Sequence, residues 1–554
     1  MTNSAANATL SAVLPSVALV GLLVLPPTGI VAHRLLLRLA PRQPKLSAVG
    51  AFAPHAATFA ALVLAWTVLF VRAEAVIGGW LPVSLTGTVL ALSTTPAGAG
   101  VIIALLSVQL DALLRNEGAA RLALSRALQL PALALIAFGD NVITLLVGLG
   151  LSDLLHAQAS LAVARSAART QPVLRFALSL IALAVLLIGF AADYTANQTL
   201  TLSLVQLPST LAALPALALG LRLGFVPLSR IALPQPSQGV PVDLLSTLVL
   251  QARLAEIGWS ALPDWYYAWA LVSVLQGLVL AVILPSERGA ALSLAGAGFA
   301  STCGVFGNAP GVLGSPSPSG TLLIAAVAWV IGSHLLVHPL ENAPAVVQQV
   351  QRLAGGLALL TLPPTVGFVA RSGLIEHYRY TELGGALAGL TLLASLAFAG
   401  TAAWVLRTEI ADAPASSAHS WRQLATEVGQ STLLGAPLVG FTFAAELFGV
   451  GNLAQVLSRT SFLGWAALVL TALACAGGWL VKGTGIEARV HALQAALACG
   501  AQGMQMLVLL VGAALQRLSA PFARAFELLE SESALIWTVI LVLLVLLIAS
   551  GGQP

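Results

Sequence analysis

The chain has 554 residues, of which 58% are hydrophobic and 8% are charged, and its mean hydropathy is +0.94. Soluble globular domains carry about 25% charged residues, so the composition excludes that class. The net charge of +4 does not indicate nucleic-acid binding, because the basic residues are almost all arginines spread over loops. Lys45 and Lys482 are the only lysines.

Apolar stretches of about 20 residues, the length that crosses a ~30 Å hydrocarbon core, recur along the chain. Because backbone polar groups in lipid must be satisfied within each segment, they predict an all-α polytopic membrane protein. The predicted spans are 10–32, 49–71, 85–109, 120–138, 141–164, 174–192, 203–232, 242–262, 265–284, 289–310, 320–339, 353–379, 384–406, 431–450, 462–481, 492–514 and 534–550.

The longest polar stretch, 408–430, is rich in alanine and serine and predicts a flexible linker. Residues beyond it are expected to form C-terminal helices and an appended extension. Within that extension, 515–530 predicts an amphipathic helix that lies on the membrane interface or on a partner helix. Glu446 is an isolated carboxylate in an apolar run, and it is expected to face either a partner or a water-filled cavity.

Basic residues are concentrated in alternate connections. Segments 33–48, 110–126 and 165–175 each carry three or more, whereas the other connections carry only Arg72 as far as residue 203. The positive-inside rule therefore predicts a multi-pass protein of the cytoplasmic (inner) membrane with its N-terminus outside. The first span is expected to be an anchor, because no basic residues precede it.

Two long apolar runs are interrupted by proline and carry an arginine near the interruption. The first, "LALGLRLGFVPLSRIALPQPSQGVPVD" at 217–243, contains Arg222 and Pro227. The second, "LALLTLPPTVGFVARSGLIEHY" at 357–378, contains Arg371. Discontinuous spans in corresponding positions of two halves indicate a transporter's central pathway. The alternative is that the prolines only shape helix packing and the arginines extend to the interface.

These two runs resemble the antiporter-like membrane subunits of respiratory complex I. That family also includes subunits of Mrp antiporters, membrane-bound hydrogenases and inorganic-carbon pumps. Segment 138–158 is similar to the family's fifth helix and segment 85–109 to its third, so the resemblance covers about 80–380 in order. It implies a 14-helix core with broken helices and two inverted five-helix repeats. The implied division is 1–119 N-terminal helices, 120–262 first repeat, 263–407 second repeat and 408–554 C-terminal helices.

The chain departs from the family at the residues that carry charge. Arg222 and Arg371 stand where the family has lysine, Gly150 stands where it has glutamate, and Thr247 or a neighbour takes the place of its histidine or lysine. The central lysine expected near 325–330 is absent. Because arginine stays protonated in proteins, Arg222 is expected to set the electric field and not to relay protons.

Asp153 is the predicted counter-charge of Arg222. Asp153 and His156 lie three residues apart on one helix and are interpreted as a protonatable pair; the alternative is that both are simply hydrated near the cytoplasmic end. His334 and His338 are either an exit relay or without a role. The candidate ion-translocation residues are Asp153, His156, Arg222, Asp243, His334, His338 and Arg371. Arg253 and Glu256 are expected to neutralise each other.

Together these features predict a proton- or cation-translocating subunit of a multisubunit membrane complex, coupled to a redox or other reaction in partner subunits. The expected partners are other integral membrane subunits and the lipid bilayer. No cofactor is expected, because the chain has no glycine-rich phosphate loop, no paired CxxC and no haem-attachment sequence. A structural subunit that has lost conduction is the main alternative, and a self-sufficient secondary transporter is a further one.

Overall fold

The computed structural model describes most of the chain as far as Val481. The described residues are 2–39, 44–71, 74–79, 89–114, 120–163, 170–197, 201–205, 211–228, 241–256, 262–284, 287–303, 318–337, 345–362, 365, 367–368, 385–411, 429, 457 and 462–481. His338, Arg371 and Glu446, which the sequence singled out, lie outside these residues.

The N-terminal part combines helices with one β-hairpin. Its elements are α1 (Thr2–Leu39), α2 (Pro44–Phe70), β1 (Glu74–Gly79), β2 (Val89–Ser93) and α3 (Pro96–Leu114). Strands β1 and β2 pair antiparallel. The prediction of one span over 85–109 is therefore wrong in its first part. Thr95 explains the boundary, because its Oγ1 accepts a hydrogen bond from the backbone N–H of Gly98 at 3.2 Å and caps a helix that opens at Pro96.

Five helices occupy the range predicted to be the first repeat, and each of them contacts the next. They are α4 (Ala120–Phe138), α5 (Val142–Val163), α6 (Thr170–Asn197), α7 (Ala213–Leu223) and α8 (Val242–Glu256). Asn141 caps α5, because its Oδ1 accepts a hydrogen bond from the backbone N–H of Thr144 at 2.8 Å. α8 also packs against α4, α5 and α7, so it is central to this group.

The remaining helices follow the predicted spans except at 353–379, where the helix is Ala345–Leu360, and the predicted spans 431–450, 492–514 and 534–550 lie outside the described residues. They are α9 (Asp264–Ile283), α10 (Arg288–Thr302), α11 (Pro318–Ala326), a π-helical segment (Val327–Ile331), α12 (Gly332–Val337), α13 (Ala345–Leu360), α14 (Gly385–Ala411) and α15 (Phe462–Leu480). One continuous apolar core joins side chains from α1 to α15.

Six helices in the described part of the chain are long and apolar enough to cross a membrane. They lie at Ser16–Leu36, Phe52–Phe70, Val142–Leu161, Gln171–Thr195, Asp264–Ile283 and Gly389–Ala411. Shorter apolar helices, such as Leu322–Val337, pack among them. The prediction of a helical multi-pass membrane protein is confirmed.

Both predicted interruptions are real, but neither begins at its proline. α7 ends at Leu223, and the next residue, Gly224, three residues before Pro227, adopts the left-handed conformation with φ of 66°. There the N–H of Phe225 donates to the carbonyl of Gly220 at 2.9 Å and closes the last turn. α13 likewise ends at Leu360, and Thr361 follows with φ of 57°.

Candidate functional site

Arg222 and Asp153 form a buried ion pair at the end of α7. Arg222 Nη1 donates to Asp153 Oδ2 at 2.6 Å, and Nη2 donates to Asp153 Oδ1 at 2.7 Å. The two side chains are only 2% and 3% exposed. The predicted pairing is confirmed, and neither the hydrated alternative for Asp153 nor the interfacial alternative for Arg222 fits this burial.

The broken helix explains why a cation is tolerated at this position. Arg222 lies in the last turn of α7, where free carbonyl groups and the helix dipole favour positive charge. The bidentate hydrogen bonds to Asp153 then match the planar fork of the guanidinium group.

Thr247 joins this pair to a second group of charges. Arg222 Nε donates to Thr247 Oγ1 at 3.3 Å, and Thr247 Oγ1 donates to the backbone carbonyl of Asp243 at 2.9 Å. Thr247 and Asp243 lie one turn apart on α8. A threonine therefore occupies the place beside the arginine that the family resemblance assigned to a histidine or lysine.

Asp243 lies at the start of α8 and faces charged groups from two other helices. Its carboxylate contacts the guanidinium of Arg175 on α6, and its Oδ2 lies 3.8 Å from His156 Nε2 on α5. Arg175, the last residue of the connection predicted at 165–175, lies instead inside α6 and is 9% exposed.

The interpretation of Asp153 and His156 as a pair needs correction. Asp153 binds Arg222, whereas His156 faces Asp243. The two residues share a helix but serve different partners, because α7 and α8 bring the complementary charges from distant parts of the chain. The site thus contains two carboxylates and two guanidinium groups, and the imidazole of His156 lies beside one of the carboxylates.

Neutral polar groups continue beyond this site along α8. Gln251 Nε2 donates to the carbonyl of Ser301 at 2.7 Å, and Tyr266 Oη donates to Gln251 Oε1 at 3.3 Å. Sequence reasoning missed these residues. Gln251 lies four residues after Thr247, and that spacing along one helix face is the signal that would have identified it.

Near the C-terminal end of α8, Arg253 approaches Gly139 and Asp140, which lie just before α5. Arg253 Nη2 donates to the carbonyl of Gly139 at 2.6 Å, which connects the end of α8 to the residues before α5, and its pairing with Glu256 stays a prediction. Partial burial raises the pKa of Asp140 from its usual value, while the nearby positive charge of Arg253 opposes this shift.

The second half brings together a different set of groups. Arg288 Nη1 lies 3.1 Å from Glu409 Oε1, and Arg352 also contacts Glu409, so this carboxylate links α10, α13 and α14. Where the family resemblance led us to expect a lysine, the π-helical segment carries Trp329, which is fully buried. His334 follows on α12 and is partly buried.

Metal-binding geometry is not present in the described residues, where no group of three or more histidine, cysteine, aspartate or glutamate side chains is placed to hold an ion. The groups at the site suit proton exchange and charge compensation. Arginine cannot exchange protons at ordinary pH, so within the cluster only Asp153, Asp243 and His156 are titratable.

Comparison with solved structures identifies the fold. The chain superposes on a chain of the Mrp complex from Dietzia sp. DQ12-45-1b with a TM-score of 0.58 and 16% identity. It also superposes on a chain of the membrane-bound sulfane sulfur reductase, an archaeal respiratory membrane complex, with a TM-score of 0.61 and 14% identity. The chain has the fold of an antiporter-like membrane subunit.

The two matches differ in how much of the other chain they cover. This chain is covered to 95% in both; it spans 62% of the matched Mrp chain and 99% of the matched reductase chain. No protein-family model and no curated protein sequence matches it. The antiporter-like fold is therefore preserved although little of the sequence is shared.

Proposed function

We propose that the chain is a proton- or cation-translocating subunit of a multisubunit membrane complex. The buried pair of Arg222 and Asp153 at the end of a broken helix carries this proposal. A charge pair removed from water is costly, so charged residues within spans mark ion pathways more often than they serve packing. Both solved neighbours come from membrane complexes, which supports a role beside other subunits.

Asp153, Asp243 and His156 are the proton-exchanging groups in this proposal. While Arg222 holds Asp153, the two charges compensate each other; when the contact opens, the carboxylate takes up a proton. Thr247 links the opening of the Arg222–Asp153 contact to the backbone of Asp243, through its hydrogen bonds to Arg222 and to the Asp243 carbonyl. Asp243 and His156 then exchange protons with water at the start of α8. Arg222 and Arg175 keep their charge throughout.

The proposal also covers the location, the orientation and the division of the chain. We place the chain in the cytoplasmic membrane with its N-terminus outside, and we divide it at 1–119, 120–262, 263–407 and 408–554. His334, His338 and Arg371 are proposed as further ion-translocation residues in the second half of the chain. A reaction in partner subunits supplies the driving force, whether the assembly is a redox complex, an Mrp-type antiporter or an inorganic-carbon pump.

The direct test is proton flux through the intact complex, purified by a tag on this chain and reconstituted in vesicles with a pH-sensitive dye. Asp153→Asn should lower the flux at least about 100-fold, the scale of losing one positioned proton-transfer group. Asp264→Asn is the matched control, because Asp264 is exposed at the start of α9. Unchanged flux in Asp153→Asn would contradict the proposal.

A structural subunit is the second candidate, and one observation favours it. Both cations in the cluster are arginines that cannot relay a proton, and Arg222 already makes two hydrogen bonds to Asp153. If this candidate is correct, Asp153→Asn reduces the yield of assembled complex and leaves the flux per assembled complex unchanged.

A further inference from the structure

Helix α8 carries a column of polar side chains along one face. Asp243, Thr247 and Gln251 recur at every fourth position and are all nine-tenths or more buried. Four residues rise about 6 Å along a helix, so the column is about 12 Å long between its outer members. Asp243 and Thr247 belong to the site around Arg222, and Gln251 is the third member of the column.

The column runs from one end of α5 to the other. Asp243 faces His156, which lies in the second half of α5, whereas Arg253, just past Gln251, contacts Gly139 immediately before α5. The two helices are therefore antiparallel neighbours. A proton that passes along α8 would travel from one end of α5 to the other. Tyr266, the partner of Gln251, is the third residue of α9, where Asp264 and Trp265 are exposed.

The spacing of the column suits water-bridged proton transfer. The column places a polar side chain about every 6 Å along the helix axis, so a proton relay along it uses water between successive side chains. The Tyr266 hydroxyl can both donate and accept a hydrogen bond, so it can pass a proton without becoming charged. Gln251 holds that hydroxyl in place while its own amide is fixed to the carbonyl of Ser301.

Toward the second half the surroundings are aromatic. Phe299 on α10, Trp329 in the π-helical segment and Phe398 on α14 are 0% to 1% exposed. The centroid of Trp329 lies 4.7 Å from that of Phe299 and 6.0 Å from that of Phe398. Indole is a donor only, and no acceptor contacts Trp329 Nε1 among the residues that the structure describes. These rings offer a proton no acceptor.

We propose that a proton route follows α8 and ends at the start of α9. It passes from Asp243 and His156 along α8 to Gln251 and Tyr266, whereas the rings of Phe299, Trp329 and Phe398 offer the proton no acceptor. Tyr266 carries the proton at the far end, and Gln251 is a positioning residue that acts through Tyr266. The inference rests on the proposed function, because it needs a chain that conducts.

The test compares hydroxyl deletions in the reconstituted complex. Tyr266→Phe should lower proton flux roughly tenfold, the effect of losing one hydrogen bond on the path. The flux is expressed per assembled complex, because a purely structural role would lower the yield of complex and leave that flux unchanged. Tyr267→Phe is the matched control, since it removes a hydroxyl from the adjacent buried ring. Gln251→Leu should resemble Tyr266→Phe.

A second control lies in the other half. Ser293 and Ser333 form a buried hydrogen bond of 2.6 Å between α10 and α12, and Ser293→Ala should leave the flux unchanged. If Asp153→Asn lowers the flux and Tyr266→Phe does not, the route is wrong and the proposed function stands. Loss of flux in Ser293→Ala would also overturn the route. If neither Asp153→Asn nor Tyr266→Phe changes the flux, both proposals fail.

Discussion

The guanidinium of Arg222 and the carboxylate of Asp153 satisfy each other in a position that water barely reaches. Removing either partner leaves an unpaired buried charge, whereas removing both leaves a neutral site. Their interaction energy is therefore large compared with that of an exposed ion pair, which contributes about 0–1 kcal/mol. Stability measurements can detect this interaction independently of transport.

A double-mutant cycle tests the pair. Arg222→Leu and Asp153→Leu should each destabilise the protein by about 3–5 kcal/mol, because each leaves one charge buried and unpaired. The double variant should cost less than the sum, since no buried charge remains. Unfolding in mixed micelles measures all three variants. Additive effects would show that the two side chains do not interact in the folded protein.

Arg175 provides a second prediction at this scale. Arg175→Leu removes the guanidinium that contacts the Asp243 carboxylate, so stability should fall by about 1–3 kcal/mol, the penalty of an unsatisfied buried group. Adding Asp243→Asn should recover much of the loss. Arg38→Leu is the control, because Arg38 is exposed in the last turn of α1. The interaction is refuted if Arg175→Leu unfolds like that control.

The sequence predicted part of this site for identifiable reasons. The pairing of Arg222 with Asp153 followed from the cost of a lone buried charge, which demands a counter-ion. The partner of His156 did not follow, because i,i+3 spacing finds neighbours on one helix and Asp243 comes from another. Arg175 was missed because an arginine near a span end is ordinarily assigned to the interface, and only the packing of α6 against its neighbours buries it.

Among the elements, α7 shows how an interruption in a span is stabilised. Trp269 Nε1 on α9 donates to the carbonyl of Val226 at 2.7 Å, and Val226 N donates to Ser273 Oγ at 3.0 Å. Side chains of α9 thus replace the backbone hydrogen bonds that the break removes. Gly220 makes this contact possible, because a Cβ there would lie 2.1 Å from the Trp269 ring.

Gly220→Ala should therefore displace Trp269 and destabilise the protein by about 1–3 kcal/mol, the usual cost of overpacking. Gly389→Ala is the matched control inside α14, where an added Cβ meets nothing within 4 Å and helix propensity favours alanine. Unfolding in mixed micelles compares the two variants. Equal stability of both would show that Trp269 does not pack closely on Gly220.

The errors at this scale have a local cause. Hydropathy over 85–109 does not distinguish a strand followed by a helix from one long helix, since both are apolar. The boundary between strand β2 and helix α3 lies at Thr95–Pro96, and hydropathy alone does not separate this dipeptide from the apolar span. In 217–243 the proline was interpreted as the break, yet Gly224 ends the helix because it adopts positive φ without a steric penalty.

At the scale of the molecule, fold and site depend on different parts of the sequence. Superposition over 95% of the chain at 14% and 16% identity shows that the architecture is preserved although few residues are identical. At Gly150, where the family resemblance implies a glutamate, only Leu183 lies within 4 Å of an added Cβ, and Asp153 one turn later binds Arg222. The carboxylate that pairs with Arg222 therefore comes from a position three residues further along α5.

The orientation of the whole chain can be tested by reporter fusions. Basic residues in 33–48, 110–126 and 165–175 predict that these connections are cytoplasmic, because translocating an arginine costs about 2.5–3.5 kcal/mol. A fluorescent protein that folds only in the cytoplasm should fluoresce when fused after Ala411 and stay dark when it precedes α1. Alkaline phosphatase, which is active only outside, should give the opposite pattern. Reversal of both reporters would place the N-terminus inside and would also exchange the two ends of the column along α8.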